Sequence, residues 1–273
     1  MALKGKIATA LLSDMGRVRT NNEDSIAEDQ EIGLLLLADG MGGYNAGEVA
    51  SGLATSTILN TVKAEWKSLK IDDIDTHSGY SHAALLLRRA IETAHETIFQ
   101  VAQTQPQCAG MGTTVVAVLP HNDVLSIAYV GDSRLYRFRD GRLEQVTRDH
   151  SLLEELIARG HYSREEAGKL VRKNIVTRAL GVEPTVQVDL IEDTLEPGDV
   201  LLLCSDGLND MVSDEIIGLT IAKHADNVER MAQELVGLAL ENGGKDNVSV
   251  VIARVDASLA RGQRWYKSLL EWF

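Results

Sequence analysis

Two cysteines, four prolines and 4% aromatic residues are all that this 273-residue chain carries of three residue types that narrow a fold most. Cys108 and Cys204 lie far apart and form no C-x-x-C pair, which leaves neither a disulfide framework nor a structural zinc site. With little proline, and no Gly/Ser-rich stretch or charge block, nothing marks a flexible linker, and one domain is expected. No run approaches the roughly 18 to 20 apolar residues of a membrane helix, so no membrane insertion is expected. The apolar stretch 7–12 is too short and too polar for a secretory signal. With its thiols best suited to a reducing compartment, the chain is expected in the cytoplasm. Basic residues are also in deficit: 27 Lys and Arg against 40 Asp and Glu give a formal charge of −13. That balance argues against a sequence-independent nucleic-acid binder, whose affinity rests on cations meeting phosphates. Phosphate chemistry stays open, because bound metal ions invert the local charge.

What is present reads mainly as strands. Short apolar runs bounded by turn signals recur at 7–12, 32–38, 114–119, 124–130, 134–139, 142–146, 200–204 and 248–255. Apolar residues at helical spacing appear around 87–101 and 228–238, and in a small-residue version around 50–57. Several strands are joined by hairpin links, which predicts antiparallel sheets covered by helices. Asp140-Gly141, between alternating flanks, is such a hairpin turn.

Two further Asp-Gly pairs have other surroundings. Leu34-Leu-Leu-Leu-Ala38 runs into Asp39-Gly40, and Leu201-Leu-Leu-Cys-Ser205 runs into Asp206-Gly207. Near-continuous apolar runs are strands buried on both faces, and a carboxylate at the end of one is costly unless it meets a cation. Each Asp alone also fits a turn residue capping the next helix. The same pattern twice, from opposite halves of the chain, favours the cation reading. Asp246-Asn247 before strand 248–255, and Gly131-Asp132-Ser133-Arg134 after 124–130, add two more carboxylates at strand tips. Such hard oxygen ligands select Mg²⁺ or Mn²⁺ over zinc. The missing side chain of Gly40 lets a backbone carbonyl approach an ion. The segment Gly16-Arg17-Val18-Arg19-Thr20-Asn21-Asn22-Glu23-Asp24 is either a solvated polar loop or a place where Arg meets phosphate.

Taken in order, Gly16-x-x-Arg19-x-x-Asn22-Glu23-Asp24, Ala38-Asp39-Gly40-Met41-Gly42-Gly43, Gly110-Met-Gly112-Thr113-Thr114, Val130-Gly131-Asp132-Ser133-Arg134, Cys204-Ser205-Asp206-Gly207 and Asp246-Asn247 form one pattern. It resembles the bacterial branch of the PPM/PP2C family of metal-dependent Ser/Thr protein phosphatases, from about residue 12 to about residue 255. The resemblance implies an α/β (α+β type) fold, a four-layer αββα sandwich of two antiparallel sheets flanked by helices. It implies a phosphatase domain over 1–256, with a small flap at about 148–181, and a short amphipathic tail over 257–273. By resemblance, Asp39 bridges two ions, Gly40 lends its carbonyl, and Asp206 and Asp246 complete the direct ligands. Asp132 would share a third, weaker site with Asp206, Asp24 would hold an ion-bound water from behind, and Arg19 would bind the substrate phosphate.

The implied activity is hydrolysis of phospho-Ser and phospho-Thr in proteins by direct attack of water held by two or three Mg²⁺ or Mn²⁺ ions. The implied partners are phosphorylated proteins and a cognate Ser/Thr kinase. A cysteine nucleophile is not supported, because Asp210 and Thr114 stand where an Arg would follow Cys204 or Cys108. Many relatives carry a histidine after the Asp39-Gly-Met-Gly-Gly43 motif as proposed general acid. This chain has Tyr44, whose hydroxyl is a candidate donor in its place. Histidines 77, 82, 95, 121, 161 and 224 stand in no family acid motif and read as surface or packing residues. Residues 148–181 also fit a solvated helical hairpin. In the tail, Trp265, Leu269 and Trp272 share one helical face, suited to the domain's own surface or to a partner, a second copy included. Two alternatives stay beside the enzyme reading: a phosphoprotein-binding pseudophosphatase, and a hydrolase of small phosphate esters. No G-x-x-x-x-G-K-[ST], G-x-S-x-G or H-E-x-x-H motif supports nucleoside triphosphate, serine-hydrolase or zinc-protease chemistry.

Overall fold

The computed structural model describes residues 5–43, 46–160, 162, 166 and 175–260. Alternation along the strands divides the apolar residues among three cores and thereby sets the layers. In β3 (Leu34–Met41), Leu34, Leu36 and Ala38 face helices, while Leu35 and Leu37 face a second sheet. In β10 (Val200–Cys204), Val200, Leu202 and Cys204 face helices on the other side, while Leu201 and Leu203 meet the first sheet. Strands buried on both faces are therefore the inner layers of a four-layer αββα sandwich.

One sheet has the order β1-β11-β10-β7-β8, with β1 (Ile7–Asp14), β7 (Arg134–Arg139), β8 (Arg142–Gln145) and β11 (Val248–Val255). The other has β2-β3-β5-β6-β9, with β2 (Asp24–Asp29), β5 (Val115–His121), β6 (Val124–Val130) and β9 (Asp189–Thr194). The two-residue strand β4 (Gly112–Thr113) pairs with the end of β3. All pairings are antiparallel. Helices α1 (Ala46–Trp66) and α2 (His82–Thr104) cover the second sheet. On the first lie α5 (Asp214–Lys223) and α6 (Val228–Glu241), and the shorter α3 (Leu152–Ala158) and α4 (Asp206–Asn209) sit in the connections. Asp140 and Gly141 both take positive φ, 50° and 77°, the mirror-image turn that matches strand twist.

The expected strands are present with shifted ends. Ile32 lies in the turn before β3, Thr114 lies in the step between β4 and β5, and Val146 lies past β8. The helix placed around 50–57 starts at Ala46, and 228–238 extends to Glu241. Within 148–181 the described residues include α3, capped by Ser151, whose Oγ accepts the Glu154 amide, and Glu166, which is helical; residues 161, 163–165 and 167–174 lie outside the described residues. Tyr44, His161 and the aromatic face of the tail fall outside the described residues.

Candidate metal and phosphate site

The antiparallel registers bring the ends of six strands to one end of the sandwich. Asp24 opens β2 directly opposite Asp39 in β3, and Asp14 closes β1 opposite Val248, two residues after Asp246. Asp132 follows β6 after Gly131, and Asp206 follows β10 after Ser205. The carboxylates singled out in the sequence are thus collected at one end, with Arg19 among them: its Nη2 lies 2.7 Å from Asp246 Oδ2.

Close backbone approaches fix these loops. A Cβ on Gly40 would overlap the carbonyls of Gly47 and Glu23, and one on Gly207 would overlap the carbonyl of Asn247. The missing side chains let the loops of neighbouring strands touch. Hydrogen bonds complete the frame. Asn247 Oδ1 accepts the Glu23 amide (2.8 Å), while its Nδ2 donates to the carbonyls of Met15 and Asn21 (both 2.9 Å). Asp39 is held from the β4–β5 step of its own sheet: its carbonyl accepts the Thr114 amide (2.9 Å) and Thr113 Oγ1 (2.8 Å), and its amide donates to Thr114 Oγ1 (3.1 Å). Thr114 Oγ1 in turn meets Ser133 Oγ at 2.7 Å, joining the motifs around Asp39 and Asp132.

Electrostatics make the cluster costly when it stands alone. Burial first, and then the charges of Asp24, Asp206 and Asp132, push the Asp39 carboxyl well above the usual carboxylate range. Asp206 is pushed up by burial and then by Asp132, Asp246 and Asp210. Asp132 rises to about 6 through burial and the charge of Asp149. Asp24 also rises to about 6 by burial, against hydrogen bonds that favour its ionised form; Ser205 Oγ donates to its Oδ2 at 2.8 Å. The other oxygen, Oδ1, is buried with no hydrogen-bond partner among the described residues. Crowded, partly desolvated like charges and an orphaned carboxylate oxygen are what a bound cation would relieve. The donors are carboxylates and carbonyls without imidazole or thiolate, the chemistry of a hard ion. Among the described residues, no three His, Cys, Asp or Glu side chains are placed, as they stand, to hold an ion together. That still fits an ion such as Mg²⁺, which keeps several waters and takes one or two carboxylates.

Three roles at the site are not read from the sequence. Asn247 acts as a three-way clamp, a role that depends on tertiary contacts no local pattern encodes. Asp210 raises both Asp206 and Asp132; its signal is its place four residues after Asp206, one helical turn on. His150 anchors the segment that follows β8: its Nδ1 accepts the Gly131 amide (3.0 Å), and its own amide donates to the Gly131 carbonyl (2.9 Å). Cys204 is fully buried, with its thiol pushed up to about 12 by burial, as a core residue rather than a nucleophile.

This geometry agrees with what the chain is similar to. The serine/threonine phosphatase stp of Listeria monocytogenes is 37% identical over 247 residues, 89% of this chain and 94% of that protein. The serine/threonine protein phosphatase PstP of Mycobacterium tuberculosis is 40% identical over 249 residues, 90% of this chain but 44% of that longer protein. A crystal structure of the Mycobacterium tuberculosis phosphatase superposes with a TM-score of 0.79 at 37% identity, covering 92% of this chain and 99% of that one. A structure of the PstP catalytic domain in complex with two manganese ions superposes with a TM-score of 0.77 over the same shares. With the sequence model of protein phosphatase 2C matching residues 16–239, the chain belongs to the protein phosphatase 2C family.

Proposed function

We infer that this chain is a metal-dependent protein-serine/threonine phosphatase acting on phosphorylated proteins. The observation that carries the reading is the set of buried and half-buried, like-charged aspartates at the strand ends, with Arg19 beside them. Asp39, the Gly40 carbonyl, Asp206 and Asp246 are the residues that would hold two Mg²⁺ or Mn²⁺ ions, and Asp132 with Asp206 a third. When bound, such ions lower the pKa of water toward neutrality and offset the charge of the phosphoryl oxygens. The protein's own part is placement. Asp39 is fixed by Thr113 and Thr114, Asp246 is carried on the loop clamped by Asn247, and Asp24 is oriented by Ser205 behind them. Arg19 is a half-exposed guanidinium suited to the substrate phosphate, and Asp246 holds it in place until substrate arrives.

A cognate Ser/Thr kinase and a cytoplasmic setting complete the reading; no helix among the described residues is long and apolar enough to cross a membrane. The test is hydrolysis of phospho-Ser, phospho-Thr and phospho-Tyr peptides and of an aryl phosphate, with Mn²⁺, Mg²⁺ or chelator. Metal-dependent turnover that favours phospho-Ser and phospho-Thr peptides is the expected result. Binding without turnover would make the chain a pseudophosphatase, and preference for the aryl ester would make it a small-ester hydrolase.

A further inference from the structure

The described chain ends at the other end of the sandwich, between the sheets. Leu259 is buried in the inter-sheet core with Leu35 and Ile7. The amides of Asp256 (2.8 Å) and Ala257 (3.3 Å) donate to the Lys6 carbonyl, and Lys6 Nζ donates to the Ser258 carbonyl (2.8 Å). Asp123, in the turn between β5 and β6, accepts from Ser258 Oγ (2.7 Å) and from the amides of Leu259 (2.6 Å) and Ala260 (3.1 Å). Beside this anchored exit, a cavity of about 230 Å³ opens between the edges of β1 and β2. Ile7 and Leu35 give it an apolar wall, and Glu28 and Glu229 give it an acidic side.

Residues 261–273 have the complementary character. They carry Arg261, Arg264 and Lys267 against the single acid Glu271, in a chain of formal charge −13, and they hold Trp265, Tyr266, Trp272 and Phe273. We propose that this segment docks back on its own domain, with Trp265 in the β1–β2 cavity and its neighbouring cations on Glu28 and Glu229. Three observations support the pairing. The chain leaves the described structure held to Lys6, whose neighbours Gly5 and Ile7 line the cavity. Five residues separate Ala260 from Trp265, a reach of about 17 Å when extended. The charges are opposite, and an apolar recess with polar edges suits an indole, which needs both a buried face and a partner for its N–H. An anionic membrane surface is the poorer occupant, because the acidic side of the cavity would face it.

The intact chain labelled with 5-fluorotryptophan tests this by ¹⁹F NMR. Its tryptophans are Trp66, Trp265 and Trp272, and Trp265→Phe and Trp272→Phe assign their signals. The expected result is a Trp265 signal shielded from a soluble paramagnetic agent at every protein concentration. The pair Glu28→Lys and Glu229→Lys should shift that signal and abolish its protection, while the Trp66 signal stays in place as the report that the fold is intact. Should the double variant fail to fold, Glu229→Lys alone should still weaken the protection. An exposed Trp265 would overturn the proposal, as would protection that appears only at high concentration, which indicates a second copy. Protection only with phosphatidylglycerol vesicles, or protection indifferent to both charge reversals, would overturn it as well.

Discussion

Arg19 Nη2 and Asp246 Oδ2 are 2.7 Å apart, so the cation proposed for the substrate phosphate is held by a carboxylate proposed for the metal. The pair is only partly buried, and exposed pairs are worth about 1 kcal/mol or less. Arg19→Ala should therefore leave the melting temperature nearly unchanged and chiefly raise KM for phosphopeptides, with a smaller effect on kcat. Arg19→Lys, which keeps the charge but loses the planar fork, should fall between. Steady-state kinetics on several phosphopeptides check this, and an unchanged KM in Arg19→Ala would remove the assigned role.

Asp39→Asn and Asp206→Asn should each lower turnover by several orders of magnitude without loss of the fold. Both carboxyls are pushed toward their neutral forms by burial and by neighbouring acids, so a neutral amide of the same shape relieves repulsion in the metal-free protein. In chelator, the variants should melt no lower than the wild type. Added Mn²⁺ or Mg²⁺ should raise the wild-type melting temperature by mass action, and this rise should shrink in both variants. Thermal scans with and without metal, beside activity assays, separate a lost ligand from a lost fold.

Gly207→Ala tests the frame rather than the ligands. Its new Cβ would overlap the backbone carbonyl of Asn247, which cannot swing aside as a side chain would. Overpacking of this kind costs about 1 to 3 kcal/mol, and here the strain falls on the loop that carries Asp246. The expected outcome is a lower melting temperature together with a weaker metal dependence, read from activity against Mn²⁺ concentration. Wild-type values for both would show that the loop can relax without consequence.

Much of this site is legible in the sequence because an apolar run ending in Asp is physically conspicuous. Leu34 to Ala38 and Leu201 to Cys204 can only be buried strands, and the charges at their ends then need a reason. The edge strands are less visible. Asp24–Asp29 and Asp189–Thr194 keep one open flank and are mostly half-buried, so charge along their length hides the strand period. Helix α5 is hidden for the opposite reason: Ile216 and Leu219 are exposed, which blurs the apolar face. Asn247 and Gly207 stand in motifs, but what each does is invisible locally, because each acts through a contact with a distant segment.

By the family resemblance Tyr44 takes the place of a proposed histidine acid, and an ordinary tyrosine hydroxyl, with a pKa near 10, is a weak acid at neutral pH. Tyr44→Phe should therefore leave the ratio of phosphopeptide to aryl-phosphate rates unchanged. The aryl ester is the control, because its leaving group departs without a proton. A loss confined to the phosphopeptides in Tyr44→Phe would make the hydroxyl the acid, and Tyr44→His should then retain the phosphopeptide rate.

The segment between β8 and α3 should respond to pH through His150. Its Nδ1 accepts the Gly131 amide, so the ring proton sits on Nε2, 3.2 Å from Asp189 Oδ2, and the ring stacks on Tyr129. Burial, and then the charge of Arg178, lowers its pKa below the ordinary 6.5; Asp189 and Asp149 oppose them. A base with a depressed folded-state pKa binds its proton less readily folded than unfolded. Its contribution to stability is therefore whole above 6.5 and is lost as pH falls from there toward the folded-state pKa. A proton on Nδ1 would also point at the Gly131 N–H and break the link to the loop of Asp132. Melting temperatures should fall between about pH 7 and pH 5 in the wild type. His150→Asn, which keeps an acceptor near the Nδ1 position but does not titrate, should show a shallower fall. Parallel pH profiles for the two proteins would place the titrating group elsewhere.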